Sequence, residues 1–275
     1  MKKIASQDNR IFKMCLQLEN RKYRDKLGKY IIEGPNLIEE ALKNNVIPDF
    51  LIIDESNLKN VEITGLCEKY TMENGCSEQE KILIFEEKLF QKLAQTETSQ
   101  GIFGIVSKIS FTETEFFDYC KKGNKKNSGN ILVLDRLQDP GNVGTIIRTA
   151  DAAGYDGIMV LKGTVDIFSP KVVRACTGSL FRVPILFIDT PNHALEILKQ
   201  HDRRVVSTGF ETDKYYYEVD LKKSIGLVIG NEGNGICQEF KEQSDEIIKI
   251  PMSGTIESLN ASVAAAILMY EAMRH

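Results

Sequence analysis

The sequence predicts an α/β protein in which a mostly parallel, helix-covered sheet fills the C-terminal half and a smaller α/β domain precedes it. Three observations carry this. From Ile131 onward, apolar runs and helical patterns alternate without a break. Three of the apolar runs lead into loops rich in Gly, Asn and Pro, within residues 132–154 (LVLDRLQDPGNVGTIIRTADAAG), 226–236 (GLVIGNEGNGI) and 247–273 (IIKIPMSGTIESLNASVAAAILMYEAM). Finally, residues 121–130 (KKGNKKNSGN) hold four lysines and no apolar side chain, which reads as an exposed connection. The expected division is a first domain over residues 1–107, a linker over 108–129 and a second domain over 130–275.

In the first domain, residues 36–44 (NLIEEALKN) have helical spacing, and 50–53 and 81–85 read as short strands. In the second, strands are expected at 131–134, 158–161, 185–188, 204–208, 225–229 and 247–250, the last closed by Pro251, with helices at 145–153, 171–178 and 192–200. A final helix follows, because Leu259, Val263, Ala266, Ile267 and Tyr270 recur at helical spacing and Ser258 stands where an N-cap oxygen is needed. Ala261, Ser262, Ala264, Ala265 and Ala266 are small, so another backbone can come close to it. Loops at the carboxyl ends of parallel strands are where such sheets bind ligands.

Composition narrows the classes. With 275 residues, 42% of them hydrophobic, the chain can bury a core without staples. The opening MKKIASQDNRIFKM has no apolar stretch behind its lysines, and the longest apolar run, 263–270, is too short for a bilayer, so a cytoplasmic protein with no membrane partner is expected. Six cysteines form no C-x-x-C pair and only three histidines are present, which predicts reduced thiols and no metal site. Net charge is −4, yet residues 1–30 carry nine basic and three acidic side chains, +6, leaving −10 for the remainder. A local basic surface on an acidic body suits contact with nucleic-acid phosphates; a solvated helix face is the plainer alternative. A nicotinamide enzyme is disfavoured, because neither D-P-G-N-V-G nor G-N-E-G-N-G has the G-x-G-x-x-G spacing.

The three motifs, in this order, resemble those of the TrmH-like (SpoU) family of SPOUT methyltransferases, most strongly over residues 129–275. The stretch at 21–42 (RKYRDKLGKYIIEGPNLIEEAL), with Glu33 and Gly34, resembles the start of the RNA-binding domain that precedes the catalytic domain in rRNA-directed members, with 101–106 (GIFGIV) as its last strand. The resemblance implies methylation of RNA ribose 2′-hydroxyls with S-adenosyl-L-methionine as cofactor, a trefoil knot in the C-terminal domain, and a homodimer paired through the last helix. It implies catalytic positions at Asn142, Arg148, Glu232, Ser258 and Asn260, and cofactor contacts at Thr208, Gly209, Gly230, Ile250, Met252 and Leu259. RNA contacts are expected from Arg21, Lys22, Arg24 and Lys26, and from Lys171 and Arg174 in 168–184 (FSPKVVRACTGSLFRVP), together with Arg182. Each has a plainer alternative: a helix salt bridge for Arg148, a turn residue for Asn142 and Glu232, a helix cap for Ser258. The chain stops soon after the last helix, without the extension of tRNA-directed members, so ribosomal RNA is the expected substrate, with tRNA or a non-catalytic RNA-binding role as alternatives.

Methyl transfer to a hydroxyl needs in-line placement, help with the proton and a hold on ribose and phosphate. Arg148 is expected one turn into the helix after DPGNVG. Used as a base it would have to shed a proton that an ordinary guanidinium holds far above neutral pH, which makes a neutral guanidinium at pH 7 costly. A cationic Arg148 that holds phosphate and stabilises the developing alkoxide fits better, the proton leaving to phosphate or water.

Overall fold

A computed structural model describes residues 1–74, 80–94, 99–122, 129–255 and 258–274. The chain forms two compact units: residues 1–109 with 168–181, and residues 110–167 with 182–275.

The first unit runs β1 (Lys2–Ile4), α1 (Arg10–Leu18), α2 (Arg21–Leu27), β2 (Lys29–Glu33), α3 (Pro35–Lys43), β3 (Phe50–Asp54), α4 (Val61–Asn74), β4 (Ile82–Phe85), α5 (Glu87–Phe90) and β5 (Ile102–Ser107). Its sheet has the order β1-β4-β3-β5-β2, parallel among β1, β4 and β3, with β5 antiparallel to both neighbours. Asn9 and Asn20 cap α1 and α2 with their side-chain oxygens, and Pro35 supplies the preset first-turn φ for α3. The core is aromatic: Phe90 stacks on Phe103 at 4.4 Å, and Phe12 packs with Phe85.

Arg24 corrects one expectation. It is 4% exposed, and its guanidinium donates at 2.7 Å to the carbonyls of Leu18 and Glu19, oxygens freed where α1 ends. It therefore ties α1 to α2 instead of facing RNA, while Arg21, Lys22 and Lys26 on the same helix are exposed. Arg24→Ala is expected to lower unfolding free energy by about 2–3 kcal/mol, measured by denaturant titration, because charged hydrogen bonds in a buried setting are lost. A variant of wild-type stability that binds RNA weakly would restore the RNA-facing assignment.

The second unit runs α6 (Glu113–Lys122), β6 (Ile131–Leu134), α7 (Pro140–Ala152) and β7 (Gly157–Leu161). After α8 (Pro170–Cys176), which packs in the first unit, it continues through β8 (Ile185–Ile188), α9 (Pro191–Gln200), β9 (Arg204–Thr208), β10 (Ile225–Ile229), α10 (Gln238–Gln243), β11 (Glu246–Ile248) and α11 (Ala261–Glu271). Six strands form one all-parallel sheet, order β11-β9-β10-β6-β7-β8. Strands β6, β7 and β10 are buried along their whole length, as a sheet covered on both faces requires.

The expected linker is partly wrong. Residues 113–122 form α6, whose Phe116 and Phe117 are buried in the core of the second unit. Gly157 makes room for it: a Cβ there would lie 2.4 Å from the Phe116 ring. His201 stacks on Phe117 at 3.5 Å and meets Glu113 at 3.2 Å. The polar exterior of α6 hid these contacts, and residues 123–128 of the lysine-rich run lie outside the described residues. Three boundaries also shift. β11 ends at Ile248, before the expected Ile250. The segment D-P-G-N-V-G is the first turns of α7, because Asp139 caps it and Pro140 opens it, so Arg148 lies just over two turns in. The last helix is capped by Asn260, not Ser258: its Oδ1 accepts from the N–H groups of Ser262 and Val263.

Candidate active site

Strands β11, β9, β10 and β6 are sheet neighbours pointing the same way, so the segments after their carboxyl ends share one edge. That edge gathers Thr208 at the end of β9 and Gly209 after it, Gly230–Glu232 after β10, Asp135–Asp139 after β6, and Ile250 and Met252 beyond β11. The sequence places these residues far apart; parallel pairing brings them together.

The loop after β10 is tight. Asn231 and Gly235 exchange backbone hydrogen bonds at 3.0 and 2.9 Å, and the Asn231 Oδ1 accepts from the N–H groups of Gly233 and Asn234. Gly230 permits this closure: a Cβ there would lie 2.4 Å from the backbone at Gly235 and Ile236. Glu232 stands at the tip, and its carboxylate is spanned by the start of α7. Oε2 accepts from the Gln138 N–H at 3.0 Å; Oε1 accepts from the Asp139 N–H and from the Asn142 side-chain amide, both at 3.1 Å. Partial burial works to raise the Glu232 pKa, but the hydrogen bonds from Gln138, Asn142, its own N–H and Asp139 outweigh it and hold the carboxyl below the usual glutamate value.

The sign of that shift has a measurable consequence. A depressed carboxyl contributes stability that is complete above the unfolded value of about 4.3 and is lost only as pH falls through its lower folded value. Glu232→Gln is therefore expected to change unfolding free energy equally at pH 6 and pH 8. A cost that differs between the two would mean that Glu232 titrates near neutrality.

Asn142 is buried and works in two directions. Its amide nitrogen donates to Glu232, and its Oδ1 accepts from the Asn260 side chain at 2.8 Å. Asn260 in turn caps α11 and accepts from the Ser262 hydroxyl at 2.6 Å. A continuous relay, Glu232–Asn142–Asn260, thus joins three segments that the sequence holds about ninety and a hundred and eighteen residues apart. Ser258 is exposed close by in the chain.

Arg148 is exposed on α7 and makes no hydrogen bond or ion pair among the described residues. It shares a helix face with Gly141 and Thr145, and side chains on a helix lean toward its N-terminus, here the end that holds Glu232. The guanidinium is thus available to a ligand.

The cofactor candidates divide in kind. Thr208 donates its hydroxyl to the Val228 carbonyl at 3.1 Å, and the Gly209 N–H donates to Ile248, so both lock strand ends. Met252 and Leu259 are 36% and 37% exposed, and Ile250 is half-buried. Uncovered apolar side chains beside backbone at strand ends suit an adenine and a thioether chain. Of the expected RNA contacts, Lys171 is exposed on α8, while Arg174 lies 4.0 Å from Glu33 within the first unit; Arg182 is committed to Asp151 at 2.7 Å. Sequence reading passed over Gln138 and Asp139. Their role is carried by backbone N–H groups, though an Asp directly before Pro is a recognisable helix start.

Comparison with known proteins agrees with this architecture. Residues 129–270 match the SpoU rRNA methylase family, and residues 9–104 match an MRM3-like substrate-binding domain. The Bacillus subtilis protein named 23S rRNA (guanosine(2553)-2′-O)-methyltransferase RlmP is 33% identical over 273 residues, 98% of each chain. A second Bacillus subtilis protein, YacO, named a putative TrmH family tRNA/rRNA methyltransferase, is 38% identical over 67% of this chain and 74% of its own. The crystal structure of an AdoMet-bound rRNA methyltransferase from Sinorhizobium meliloti superposes with a TM-score of 0.84 at 30% identity, covering 100% of this chain and 98% of that one. Two motif loops meet at one sheet edge, a third segment joins them through Asn260, and the match spans more than half of the sequence: the chain belongs to the SpoU rRNA methylase family.

Proposed function

We propose that this protein methylates a ribose 2′-hydroxyl of ribosomal RNA, using S-adenosyl-L-methionine. The observation that carries the reading is the Glu232–Asn142–Asn260 relay beside an uncommitted Arg148. Similarity over nearly the whole chain to a protein named for 2′-O-methylation of 23S rRNA supports that RNA as substrate.

The cofactor would be held by Gly230, Ile250, Met252 and Leu259, with Thr208 and Gly209 fixing the strand ends beneath it, and it supplies a sulfonium-activated methyl group. The chain's own residues then orient and polarise. Arg148 holds an RNA phosphate and stabilises negative charge growing on the ribose oxygen. Glu232 does not serve as base, because three donors engage its carboxylate and stabilise the ionised form; it fixes the start of α7, and through Asn142 the start of α11. The proton leaves to phosphate or water. Ser258 lines the entrance to the site. The family's trefoil knot, with the last segment threaded through an earlier loop, belongs to the same reading.

RNA is drawn in by the first unit. Arg21, Lys22 and Lys26 lie exposed on α2 and Lys171 on α8, Arg21 with a long 3.7 Å pairing to Asp25, whereas Lys3, Lys13 and Lys29 are engaged more closely with Glu55, Asp8 and Asp49. Replacing Arg21, Lys22 and Lys26 together by Gln is expected to reduce the slope of log affinity against log salt by about 2–3, roughly one per lost phosphate contact. An unchanged slope would move the RNA surface elsewhere. A homodimer is part of the proposal: Val263 and Tyr270 on the apolar α11, and Met273 just after it, lie about half exposed, a face that a second copy would cover. No helix among the described residues is long and apolar enough to cross a membrane.

The test of the activity is transfer of labelled methyl from S-adenosyl-L-methionine to 23S rRNA and to tRNA transcripts, followed by alkaline hydrolysis. Label in alkali-resistant dinucleotides from 23S rRNA is expected. Label on tRNA alone would shift the substrate, and label on alkali-sensitive mononucleotides would place the methyl on a base.

A further inference from the structure

The best-braced residue at this edge lies within the first motif stretch but is not one of its expected site residues. Arg136, two residues after β6, has φ +59°, a left-handed conformation that residues bearing a Cβ normally leave to glycine. Residues held in such conformations persist where their surroundings over-determine them, and at functional sites the strain marks a fixed geometry.

The surroundings here are unusually complete. The guanidinium donates from Nε and Nη2 to the neighbouring Asp135 carboxylate at 2.6 and 3.1 Å, and Asp135 is fully buried. Asp135 Oδ2 also accepts from the Cys237 N–H at 2.6 Å, beyond the far end of the Glu232 loop. The Arg136 N–H donates to Thr164 Oγ1 at 3.1 Å, and that hydroxyl donates on to the Leu134 carbonyl. The Arg136 carbonyl, turned outward by the left-handed backbone, accepts from Gln138 Nε2 at 3.0 Å and from Asn231 Nδ2 at 2.8 Å. Asn231 closes the loop that carries Glu232, so one side chain connects the Arg136 carbonyl to the turn at Gly233 and Asn234.

We propose that Asp135, Arg136 and Asn231 form a positioning clamp that presets the Gly230–Glu232 loop against the start of α7, so that Glu232 meets Gln138, Asp139 and Asn142 before any ligand arrives. The inference rests on the methyl-transfer reading and deepens it. A charge-neutralised buried carboxylate holds the first loop, a strained backbone aims a carbonyl, and Asn231 reads that carbonyl's position into the second loop. Preorganisation of this kind matters to transfer because a displacement of about 1 Å at a reacting centre costs on the order of a hundredfold in rate.

The clamp acts through Glu232, which gives it a signature that general destabilisation lacks. Asn231→Ser removes the amide donor at a partly exposed position and leaves the fold's core untouched. It is expected to lower kcat about tenfold with the KM for RNA within about twofold, and to weaken binding of S-adenosylhomocysteine, measured by calorimetry, about fivefold, the scale of one lost hydrogen bond. Glu232→Gln is expected to lower kcat by at least as much, and the double variant to lose no more than Glu232→Gln alone, since residues acting as one unit are not additive. Arg136→Lys should keep a cation on Asp135 and recover part of what Arg136→Ala loses. Losses that multiply in the double variant, or wild-type kcat and wild-type S-adenosylhomocysteine affinity in Asn231→Ser, would overturn the clamp. Absence of methyl transfer by the wild-type protein on any RNA would instead sink the activity reading. In that case calorimetry still decides the clamp, by the same fivefold shift and the same non-additivity in S-adenosylhomocysteine binding.

Discussion

Replacing Arg148 by Ala is expected to lower kcat about 100- to 1,000-fold while leaving the fold intact. The magnitude is that of removing one preorganised donor from a site of developing negative charge. The stability follows from the side chain's exposure and from its having no hydrogen bond or ion pair among the described residues, since surface changes of that kind fall within about 0.5 kcal/mol. Arg148→Lys distinguishes the roles. If the guanidinium holds phosphate through two parallel donors, an ammonium keeps the charge and loses the fork, and roughly a tenth or less of the wild-type kcat should remain. Near-full turnover in the Lys variant would reduce Arg148 to a source of general positive charge. The matching readout is single-turnover transfer at saturating RNA, which separates the chemical step from binding.

Asn142→Asp is expected to be more damaging than its size suggests. The amide nitrogen that donates to Glu232 at 3.1 Å would become a second carboxylate oxygen at the same separation. Two carboxylates so close cannot both ionise freely, and the pKa of one rises. The relay to Asn260 would survive on the other oxygen, so the damage localises to the Glu232 side. Transfer should fall about 100-fold at pH 8. The sign of the pH effect is fixed: a carboxyl whose folded pKa is raised contributes stability at low pH that is lost as pH rises through that value. The gap in Tm between variant and wild type should therefore narrow as pH is lowered from 8 to about 5.5. A constant gap would show that Asn142 and Glu232 are not electrostatically coupled.

Much of this was legible in the sequence. β6, β8, β9 and β10 match their expected spans: β6 and β10 are buried along their length and read as short apolar runs, while β8 (ILFI) and β9 (RVVST) are less completely buried but keep enough apolar and β-branched residues to read as strands. Family resemblance picked out Asn142, Glu232 and Asn260, and the structure adds their connection, which spans separations no local pattern can report. The misreadings have separate causes. Arg24 reads as surface until the freed carbonyls of α1 are seen beneath it. The helix over 113–122 reads as linker because Phe116 and Phe117 are its main apolar anchors. Asn260 and Ser258 are equally good caps by residue type, and the choice of Asn260 follows from where the chain turns, set by its bond to Asn142. The role of Arg136 gave no signal, since a left-handed backbone at an arginine leaves no mark in the sequence.

The most direct test of the account is a nucleotide-resolution map of ribose methylation in ribosomal RNA from cells lacking this protein, complemented with the wild-type gene or with Arg148→Ala. The account predicts one 2′-O-methyl group, missing in the deletion, restored by the wild-type protein and not by Arg148→Ala at equal protein level. Full restoration by Arg148→Ala, or an unchanged ribose map in the deletion, would contradict it.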